Sequence, residues 1–314
     1  MTEISEYHVP VLCREVVDAL CNRKNGCFID ATLGGGGHFR ALARTLGDGA
    51  TLVGIDRDTD AVTWNRRHPA ETDASVYLEH ARFSEITRIC EKLSLPSVDG
   101  VLVDLGVSSF QIDRPERGFS FMQGCGLDMR MNTRDGEQAM DLIARLSVEE
   151  LAEVLASYGE IRNARRMAVT IKDSPEAIRT STDLQTVLAR EYGGQFRYKV
   201  LARIFMALRI AVNDELGELR TFLAAIPDLL ADGGRVAVIS YHSLEDRMVK
   251  EFFRNNEPHC VCPQSALRCT CGRPGRLKRV NRKAIVASEE EIADNPRARS
   301  ARLRIAEKIA EVTP

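Results

Sequence analysis

The sequence predicts an α/β protein with a mostly parallel, Rossmann-like sheet, into which an all-helical segment is inserted. Two observations carry this prediction. Over the first hundred residues, short apolar runs alternate with stretches of helical spacing. The alternation then stops at about Asp113 and resumes at about Asn213, with no convincing strand between them. Strand–helix–strand repetition implies parallel strands with right-handed crossovers, and near-continuous apolar strands fit a sheet covered on both faces.

Seven runs along the chain have the composition of strands and end near glycine, aspartate or a polar turn. They are residues 27–34, 51–58, 76–83, 100–106, 235–240, 283–288 and 301–308. The segments between the first four have the apolar spacing of crossover helices. The sequence therefore predicts a seven-stranded, mostly parallel sheet.

Helix signals dominate the middle of the chain. Ser147 opens "SVEELAEVLASYG" in a capping box with Glu150, and Thr182 opens "TDLQTVLAREYG" in a similar way. Further along, Ser243 is the predicted cap of "SLEDRMVKEFFRN". We therefore predict a discontinuous α/β domain, residues 1–112 and 214–314, and an inserted helical domain, residues 113–213.

The composition limits the classes to which the chain can belong. With 314 residues, 44% of them hydrophobic, it can bury a real core, which argues against wholesale disorder. It has no apolar run near the roughly 18 residues that span a membrane, and its first residues lack the pattern of a signal peptide. We therefore expect a cytoplasmic protein. The net charge is −2, but residues 268–283 hold seven basic and no acidic side chains, typical of a solvated face or of a polyanion contact.

The run "ATLGGGGH", residues 31–38, follows the first predicted strand and opens a predicted helix. Open α/β sheets bind ligands beyond the carboxyl ends of their strands, and glycine lets the backbone approach a ligand closely. Asp56 ends the second strand, twenty residues after Gly36, where a carboxylate can accept hydrogen bonds from ribose hydroxyls. The combination indicates a nucleoside-containing cofactor, while a plain strand–helix turn is the alternative.

Two common phosphate-binding patterns are missing from this turn. A dinucleotide loop needs a small third residue, but the corresponding positions are Phe39 and Arg40, and the G-K-[ST] of a phosphate loop is absent. S-adenosylmethionine fits instead, because it has adenine and ribose but no phosphate. Its positive sulfonium also suits Asp30, Asp56 and Asp104 at predicted strand ends.

Several motifs occur together and in order: "DATLGGGGH", "VDLGVSSFQID", "GLDMRM", "SYHSLEDR" and "NPRARSARLRIAEK". With them, the chain resembles the bacterial 16S ribosomal RNA cytosine-N4 methyltransferase family, the small-subunit methyltransferase H or MraW family. The resemblance runs from about Tyr7 to about Lys308. Its most specific part is the combination of "SYHSLEDR" with "GLDMRM".

The resemblance implies a class I S-adenosylmethionine methyltransferase whose inserted domain recognises the substrate. The implied substrate is the N4 amine of a P-site cytidine in 16S rRNA of the small ribosomal subunit, and no metal is implied. Family cofactor contacts correspond to Gly36, Gly37, His38, Asp56, Phe83, Asp104 and Gln111. A departure is Phe110, where the family usually has proline.

The same motifs suggest how the substrate is held. Asp104 either binds the substrate amine as a catalytic residue or serves only as a cofactor ligand. Tyr241 could stack on a flipped base, as enzymes that act on base atoms often require. The predicted RNA contacts are Ser108, Ser109, Tyr241, His242 and Arg247. The alternative for the two serines is a helix cap, and for Arg247 it is a solvated charge.

Two further stretches have more than one interpretation. In "RPERGFSFMQGCGLDMRMN" the arginines could hold phosphates, or the Phe and Met side chains could pack as a lid. Cys260, Cys262, Cys269 and Cys271 form two C-x-C pairs that could bind zinc, although C-x2-C is the usual spacing, and a basic loop that touches RNA is the alternative.

The function also has alternatives: a methyltransferase of another nucleic acid or of protein, or a non-catalytic RNA-binding assembly factor. Whether the protein is a monomer or a homodimer is left open.

Overall fold

The structure, a computed structural model, describes residues 10–121, 124–192, 198–260, 262–263, 268, 271 and 275–310. The chain divides into two compact units. We call Met1–Gly106 with Glu218–Pro314 the sheet unit, and Val107–Gly217 the helical unit. These limits lie a few residues from the domain boundaries that we placed at residues 113 and 213.

The described residues of the sheet unit form a seven-stranded sheet. Its strands are β1 (Gly26–Asp30), β2 (Ala50–Asp56), β3 (Ser75–His80), β4 (Val98–Asp104), β5 (Leu230–Ser240), β6 (Leu277–Arg279) and β7 (Arg302–Lys308). They lie in the order β3-β2-β1-β4-β5-β7-β6. Strands β1 to β5 pair in parallel, and β7 is antiparallel to both β5 and β6. The α/β prediction is confirmed, and the order reverses at β1, which creates a crevice between β1 and β4.

The predicted strand at residues 283–288 is wrong. Only Ile285 pairs there, in an isolated bridge with Leu303, and β6 takes the ladder position beside β7 instead. The reason is Asn281, whose side chain accepts from the Ile305 N–H at 2.7 Å and donates to the Leu303 carbonyl at 2.9 Å. A side chain thus replaces the backbone partner and interrupts the ladder.

The helices surround the sheet and build the second unit. They are α1 (Cys13–Leu20), α2 (Gly37–Thr45), α3 (Thr59–Arg67), α4 (Ile86–Lys92), α5 (Ser109–Asp113), α6 (Ala139–Arg145), α7 (Val148–Gly159), α8 (Ala164–Lys172), α9 (Ser181–Tyr192), α10 (Tyr198–Asn213), α11 (Glu215–Leu229), α12 (Ser243–Asn255) and α13 (Glu289–Asp294). Among the residues described, no helix combines the length and apolarity needed to cross a bilayer. The described part of the helical unit contains no strand, only a bridge between Gly126 and Thr180.

Alternate residues of the central strands supply two separate cores. Phe28 and Leu102 face one side of the sheet, with Leu42 of α2 packed against them. Ile29 and Val103 face the other side. Because both faces are covered, the middle residues of β1, β2 and β4 are apolar or glycine, and their charged residues lie at or next to the strand ends.

Helix caps in the helical unit explain where its helices begin. Ser147 caps α7, accepting from the Glu150 N–H at 3.2 Å, which confirms the predicted capping box. The predicted start at Thr182 is wrong because Thr180 forms the reciprocal pair: its Oγ1 accepts from the Asp183 N–H at 3.1 Å, and Asp183 accepts from the Thr180 N–H at 2.8 Å. Helix α9 therefore starts at Ser181.

Candidate active site

Carboxylates stand at the carboxyl ends of three adjacent strands. Asp30 ends β1, Asp56 ends β2 and Asp104 ends β4. The Asp104 N–H donates to Thr32 Oγ1 at 2.7 Å, which ties the end of β4 to the turn after β1. The crevice at the reversal of strand order is therefore lined with acidic side chains, as the sequence predicts.

The glycine turn joins β1 to α2. Gly36 precedes α2 with a φ of 79°, a left-handed conformation that favours glycine. The turn's carbonyl groups are held from behind: Arg40 donates to the Gly35 oxygen at 2.6 Å and Asn65 donates to the Gly34 oxygen at 2.8 Å. Arg40, which breaks the dinucleotide pattern, thus supports the turn. The turn leads directly into the first N–H groups of α2, which have no acceptor within the helix.

Asp56 links the glycine turn to the end of β2. One carboxylate oxygen accepts from the Gly34 N–H at 2.7 Å and the other from the Asp58 N–H at 2.8 Å. Burial raises the pKa of Asp56 to about 6, although these two hydrogen bonds oppose the shift. Each carboxylate oxygen has a second lone pair, so the side chain can still accept from a ribose hydroxyl.

His38 is buried and its ring points into the protein. Nε2 lies 2.9 Å from the Val11 carbonyl oxygen, which can only accept, so Nε2 carries the proton and donates. Burial lowers the pKa of His38 and so favours the neutral ring, while the negative charge of Asp30 acts in the opposite direction. Nδ1 lies 3.6 Å from Asp104.

Tyr241, which follows β5, bonds to the carboxylate at the end of β4. Its hydroxyl donates to Asp104 Oδ1 at 2.9 Å. Burial, with Asp104 as the next contribution, raises the pKa of Tyr241 well above its usual value. Asp30, only 1% exposed, completes this group, and burial raises its pKa to about 7. We call Asp30, His38, Asp104 and Tyr241 the strand-end cluster.

Phe83 lies just beyond β3, in a 3-10 turn. Its ring packs edge-to-face on Phe222 with centroids 5.7 Å apart. The turn is anchored by buried Glu218, which accepts from Arg82 at 2.9 Å and from the Ser84 hydroxyl. Sequence reasoning missed Glu218, because its partners lie more than a hundred residues earlier in the chain.

Ser108, Ser109 and Gln111 belong to the helical unit. Ser108 caps α5: its Oγ accepts from the Gln111 N–H at 3.3 Å, and Gln111 Oε1 accepts from the Ser108 N–H at 3.0 Å. Ser109 and Gln111 are buried. The structure thus gives Ser108 the capping role that the sequence offered as the alternative to RNA contact.

His242, not Ser243, is the N-cap of α12, so the predicted cap is wrong by one residue. The reason is Glu245, which is 2% exposed and accepts from the Tyr241 N–H at 3.0 Å and from the His242 N–H at 3.3 Å. This carboxylate fixes the turn that follows β5, and places Ser243 in the first turn of the helix.

An open cleft begins at this turn. Tyr241, His242 and Arg247 all line it, so the structure brings together these three residues, which we assigned to RNA. Other basic side chains line it as well: Lys250, Arg299 and Arg302. The sequence carried two signals for them: Lys250 follows Arg247 at helical spacing, and the other two lie in "NPRARSAR".

The Arg- and Met-rich loop of the helical unit uses two of its arginines for contacts within the loop. Arg117 is buried and donates to the Met131 carbonyl at 2.9 Å, and Arg130 pairs with Asp128 at 2.8 Å. Phe121 packs edge-to-face on Phe205 with centroids 5.3 Å apart. For Arg117 and Arg130 the contacts are those of a packed loop, whereas Arg114 is exposed, with its guanidinium over the Phe110 ring. The phosphate contact therefore stays a prediction for Arg114.

Of the late cysteines, Cys260, Cys262 and Cys271 are described, and their sulfur atoms lie within 4.8 Å of one another. Cys269 lies outside the described residues.

Comparison with known proteins decides the family. A model of the MraW methylase family matches residues 5–309, nearly the whole chain. The chain belongs to the MraW methylase family. This membership confirms the enzyme class and the S-adenosylmethionine cofactor that the sequence indicates.

Relatives of known name share much of this sequence. The "Ribosomal RNA small subunit methyltransferase H" of Solidesulfovibrio magneticus is 43% identical over 97% of this chain and 96% of its own. The protein of that name from Syntrophotalea carbinolica is 44% identical over 97% of this chain and 98% of its own. Among solved structures, a "putative rRNA-methylase" from Clostridium thermocellum covers 97% of this chain and 99% of its own, at 12% identity and a TM-score of 0.43, which is too weak to bear on function.

Proposed function

We propose that this MraW-family enzyme transfers a methyl group from S-adenosylmethionine to the N4 amine of a P-site cytidine of 16S rRNA, within the small ribosomal subunit. The observation that carries the proposal is the Tyr241–Asp104 hydrogen bond, which holds a carboxylate oxygen at the strand reversal beside the bare glycine turn. The names of relatives more than 40% identical support the substrate class. We place this reaction in the cytoplasm.

The residues present fit the cofactor. The glycine turn removes side chains where a ligand approaches, so Gly36, Gly37 and the His38 backbone N–H can meet its amino-acid end. Asp56 accepts from the ribose hydroxyls, and Phe83, beyond the neighbouring strand β3, offers an apolar surface for the base. Asp104 and Gln111 complete the proposed cofactor contacts. The cofactor supplies an electrophilic methyl group on a positive sulfonium.

Asp104 has a second proposed role as the catalytic residue. Cytosine N4 is a weak nucleophile because its lone pair is delocalised into the ring. A carboxylate oxygen that accepts from one N4–H orients the amine and stabilises the positive charge that develops as the N–C bond forms and the S–C bond breaks. N4 would release one proton, which Asp104 would accept and pass on to water, and the cofactor would leave as its neutral thioether. Tyr241 acts here as a positioning residue, since its hydroxyl fixes Asp104 Oδ1.

The cleft after β5 is the proposed path of the RNA. Exposed Arg247, Lys250, Arg299 and Arg302 suit backbone phosphates, and the Tyr241 ring at the inner end suits a base removed from its stack. The helical unit would recognise the substrate, and Ser108 and Ser109 are its predicted RNA contacts even though Ser108 caps α5 and Ser109 is buried.

The decisive experiment incubates the protein with labelled S-adenosylmethionine and, in turn, naked 16S rRNA, assembled small subunits, DNA and bulk protein. We expect label in small subunits, recovered as N4-methylcytidine after digestion to nucleosides. Label in DNA or protein, or at another base atom, would overturn the proposed substrate. Binding of small subunits without any transfer would instead indicate a non-catalytic assembly factor.

A further inference from the structure

The connection between α12 and β6 brings three cysteine side chains to one place. The sulfur atoms of Cys260, Cys262 and Cys271 lie within 4.8 Å of one another, and those of Cys260 and Cys271 are 3.9 Å apart. Cys260 is exposed and the other two are half-exposed. None of the three cysteines lines the basic cleft or belongs to the strand-end cluster, so neither cofactor binding nor methyl transfer accounts for them.

The separation of these sulfur atoms indicates a metal rather than a disulfide. A disulfide would hold two sulfur atoms at about 2.05 Å. Zinc binds thiolates at about 2.3 Å in a tetrahedron, whose edge is then about 3.8 Å. The 3.9 Å between Cys260 and Cys271 matches that edge. Residues two apart, such as Cys260 and Cys262, can supply two corners from one short segment of chain.

The sequence of this loop offers little apolar material for packing. Its ends are fixed, since the Asn256 carbonyl accepts from the N–H groups of Arg276 at 2.9 Å and Leu277 at 3.0 Å. The 18 residues from 258 to 275 contain few apolar side chains, namely Val261, Ala266 and Leu267. Loops longer than about 12–15 residues are uncommon in compact domains, and short segments without a core are often held by disulfides or metals.

Charge favours the same conclusion. Three thiolates around one Zn²⁺ leave a net negative charge, and the adjoining residues 268–283 carry seven basic and no acidic side chains. A basic run adjoining the cysteines in sequence is compatible with such a negatively charged site, although Arg276 and Arg279 themselves pair with Asp228 and Glu257. Tetrahedral thiolate sites are typical of zinc or of iron–sulfur clusters, and zinc needs no redox partner.

We propose that Cys260, Cys262 and Cys271 bind a structural Zn²⁺ ion that fixes the loop against the edge strand β6. The fourth ligand comes from outside these three residues. The ion takes no part in methyl transfer, and the proposal is independent of the proposed substrate.

The test begins with the full-length protein, purified without chelator from zinc-supplemented cells and analysed for metals. We expect about one zinc ion per chain. The triple variant Cys260→Ser/Cys262→Ser/Cys271→Ser should lose at least about nine-tenths of it, as expected when most thiolate ligands are removed. The control Cys21→Ser changes a half-buried thiol near the start of the chain, outside the cluster. It should bind as much zinc as the wild-type protein.

Cobalt substitution tests the site in the wild-type protein, so the result does not depend on whether the triple variant folds. Co²⁺ bound by three or more thiolates in a tetrahedron should give the intense absorption of tetrahedral cobalt thiolates, and zinc should displace it. Wild-type protein that holds less than about one-tenth of a zinc ion per chain would overturn the proposal, because a structural site retains its metal through purification. Iron in place of zinc, full retention of zinc by the triple variant, or a Cys260–Cys271 disulfide in the intact mass would also overturn it.

Discussion

Two regions that meet at Tyr241, at the same edge of the sheet, differ in burial and in the charge of their side chains. In the strand-end cluster, Asp30 is 1% and His38 6% exposed, and each side chain is held by hydrogen bonds or charges of the protein itself. In the cleft that begins at Tyr241, the basic side chains Arg247, Lys250, Arg299 and Arg302 are exposed. We infer that the side chains of the first region are fixed before a ligand binds, whereas those of the second can adjust to a ligand.

The difference matches the two ligands that a methyltransferase of RNA must hold. A small cofactor and one reacting amine gain from groups that are fixed before binding, because no reorganisation is then needed in the transition state. A polyanion gains from cations that stay hydrated and mobile until they replace its counterions. Substitutions in the first region should therefore affect turnover and cofactor affinity, and substitutions in the second should affect RNA affinity and its salt dependence.

The largest effect is expected at Asp104. The change Asp104→Asn keeps the size of the side chain but removes the charge proposed to stabilise the developing positive charge, so kcat should fall by about 10²–10³-fold. Turnover measured at saturating cofactor tests this. Asp18→Asn, which removes only an exposed pair with Arg14 on α1, is the matched control and should retain normal turnover. Near-normal kcat in Asp104→Asn would leave Asp104 as a cofactor ligand alone.

The next largest effect is expected at Gly36. A Cβ there would lie 2.1 Å from Asn65 Oδ1 and 2.5 Å from Arg40 Nη1, the two side chains that hold the turn's carbonyls. Left-handed backbone at a non-glycine residue itself costs about 1–3 kcal/mol. Gly36→Ala should therefore weaken S-adenosylmethionine binding about tenfold or more, as measured by calorimetry.

Gly136→Ala separates the two contributions in that experiment. Gly136 has a φ of 84°, close to that of Gly36, but nothing lies within 4 Å of an added Cβ. It should show the backbone cost in thermal stability and leave cofactor affinity unchanged. Equal cofactor affinity in the Gly36→Ala and wild-type proteins would remove the glycine turn from the cofactor site.

A smaller effect is expected when the Tyr241 hydroxyl alone is removed. Tyr241→Phe loses the 2.9 Å hydrogen bond to Asp104, and bonds to charged groups contribute about 1.5–3 kcal/mol, so kcat should fall roughly tenfold or somewhat more. The RNA KM should stay the same because the ring remains. Tyr241→Ala should in addition raise the RNA KM far more than the cofactor KM. An equal rise in both would count against base stacking.

The fold was largely predictable because it follows from local patterns. Periodicity located six of the seven strands that we predicted, and only the run at residues 283–288 failed. That failure depended on one side chain, Asn281, which takes a backbone position in the ladder and shifts pairing to β6. No periodicity reports such a substitution of side chain for backbone.

The site was predictable by residue type but not by role. The sequence singled out His38, Asp104 and Tyr241, yet it did not show that His38 donates to Val11 or that Tyr241 donates to Asp104. These partners are 27 and 137 residues apart, so only the folded chain brings them together. Buried Glu245 shows the same limit. Because it accepts from two N–H groups, the helix cap is His242 and not the predicted Ser243.

The smallest effects are expected in the cleft, where they take a different form. Replacing one exposed cation, as in Arg299→Gln or Arg302→Gln, should weaken RNA binding only a few-fold at moderate salt, because exposed charges are screened. If each cation neutralises a phosphate, the double variant should reduce the magnitude of the slope of log affinity against log salt by about 1.4–1.8.

The control for the cleft is Lys24→Gln, which changes an exposed side chain just before β1, at the amino ends of the parallel strands. It should leave the slope unchanged. Turnover at saturating RNA should stay normal in all four variants, since none touches the strand-end cluster. An unchanged slope in the double variant would show that the RNA phosphates do not bind Arg299 and Arg302. The proposed division between a cofactor region and an RNA region would then fail.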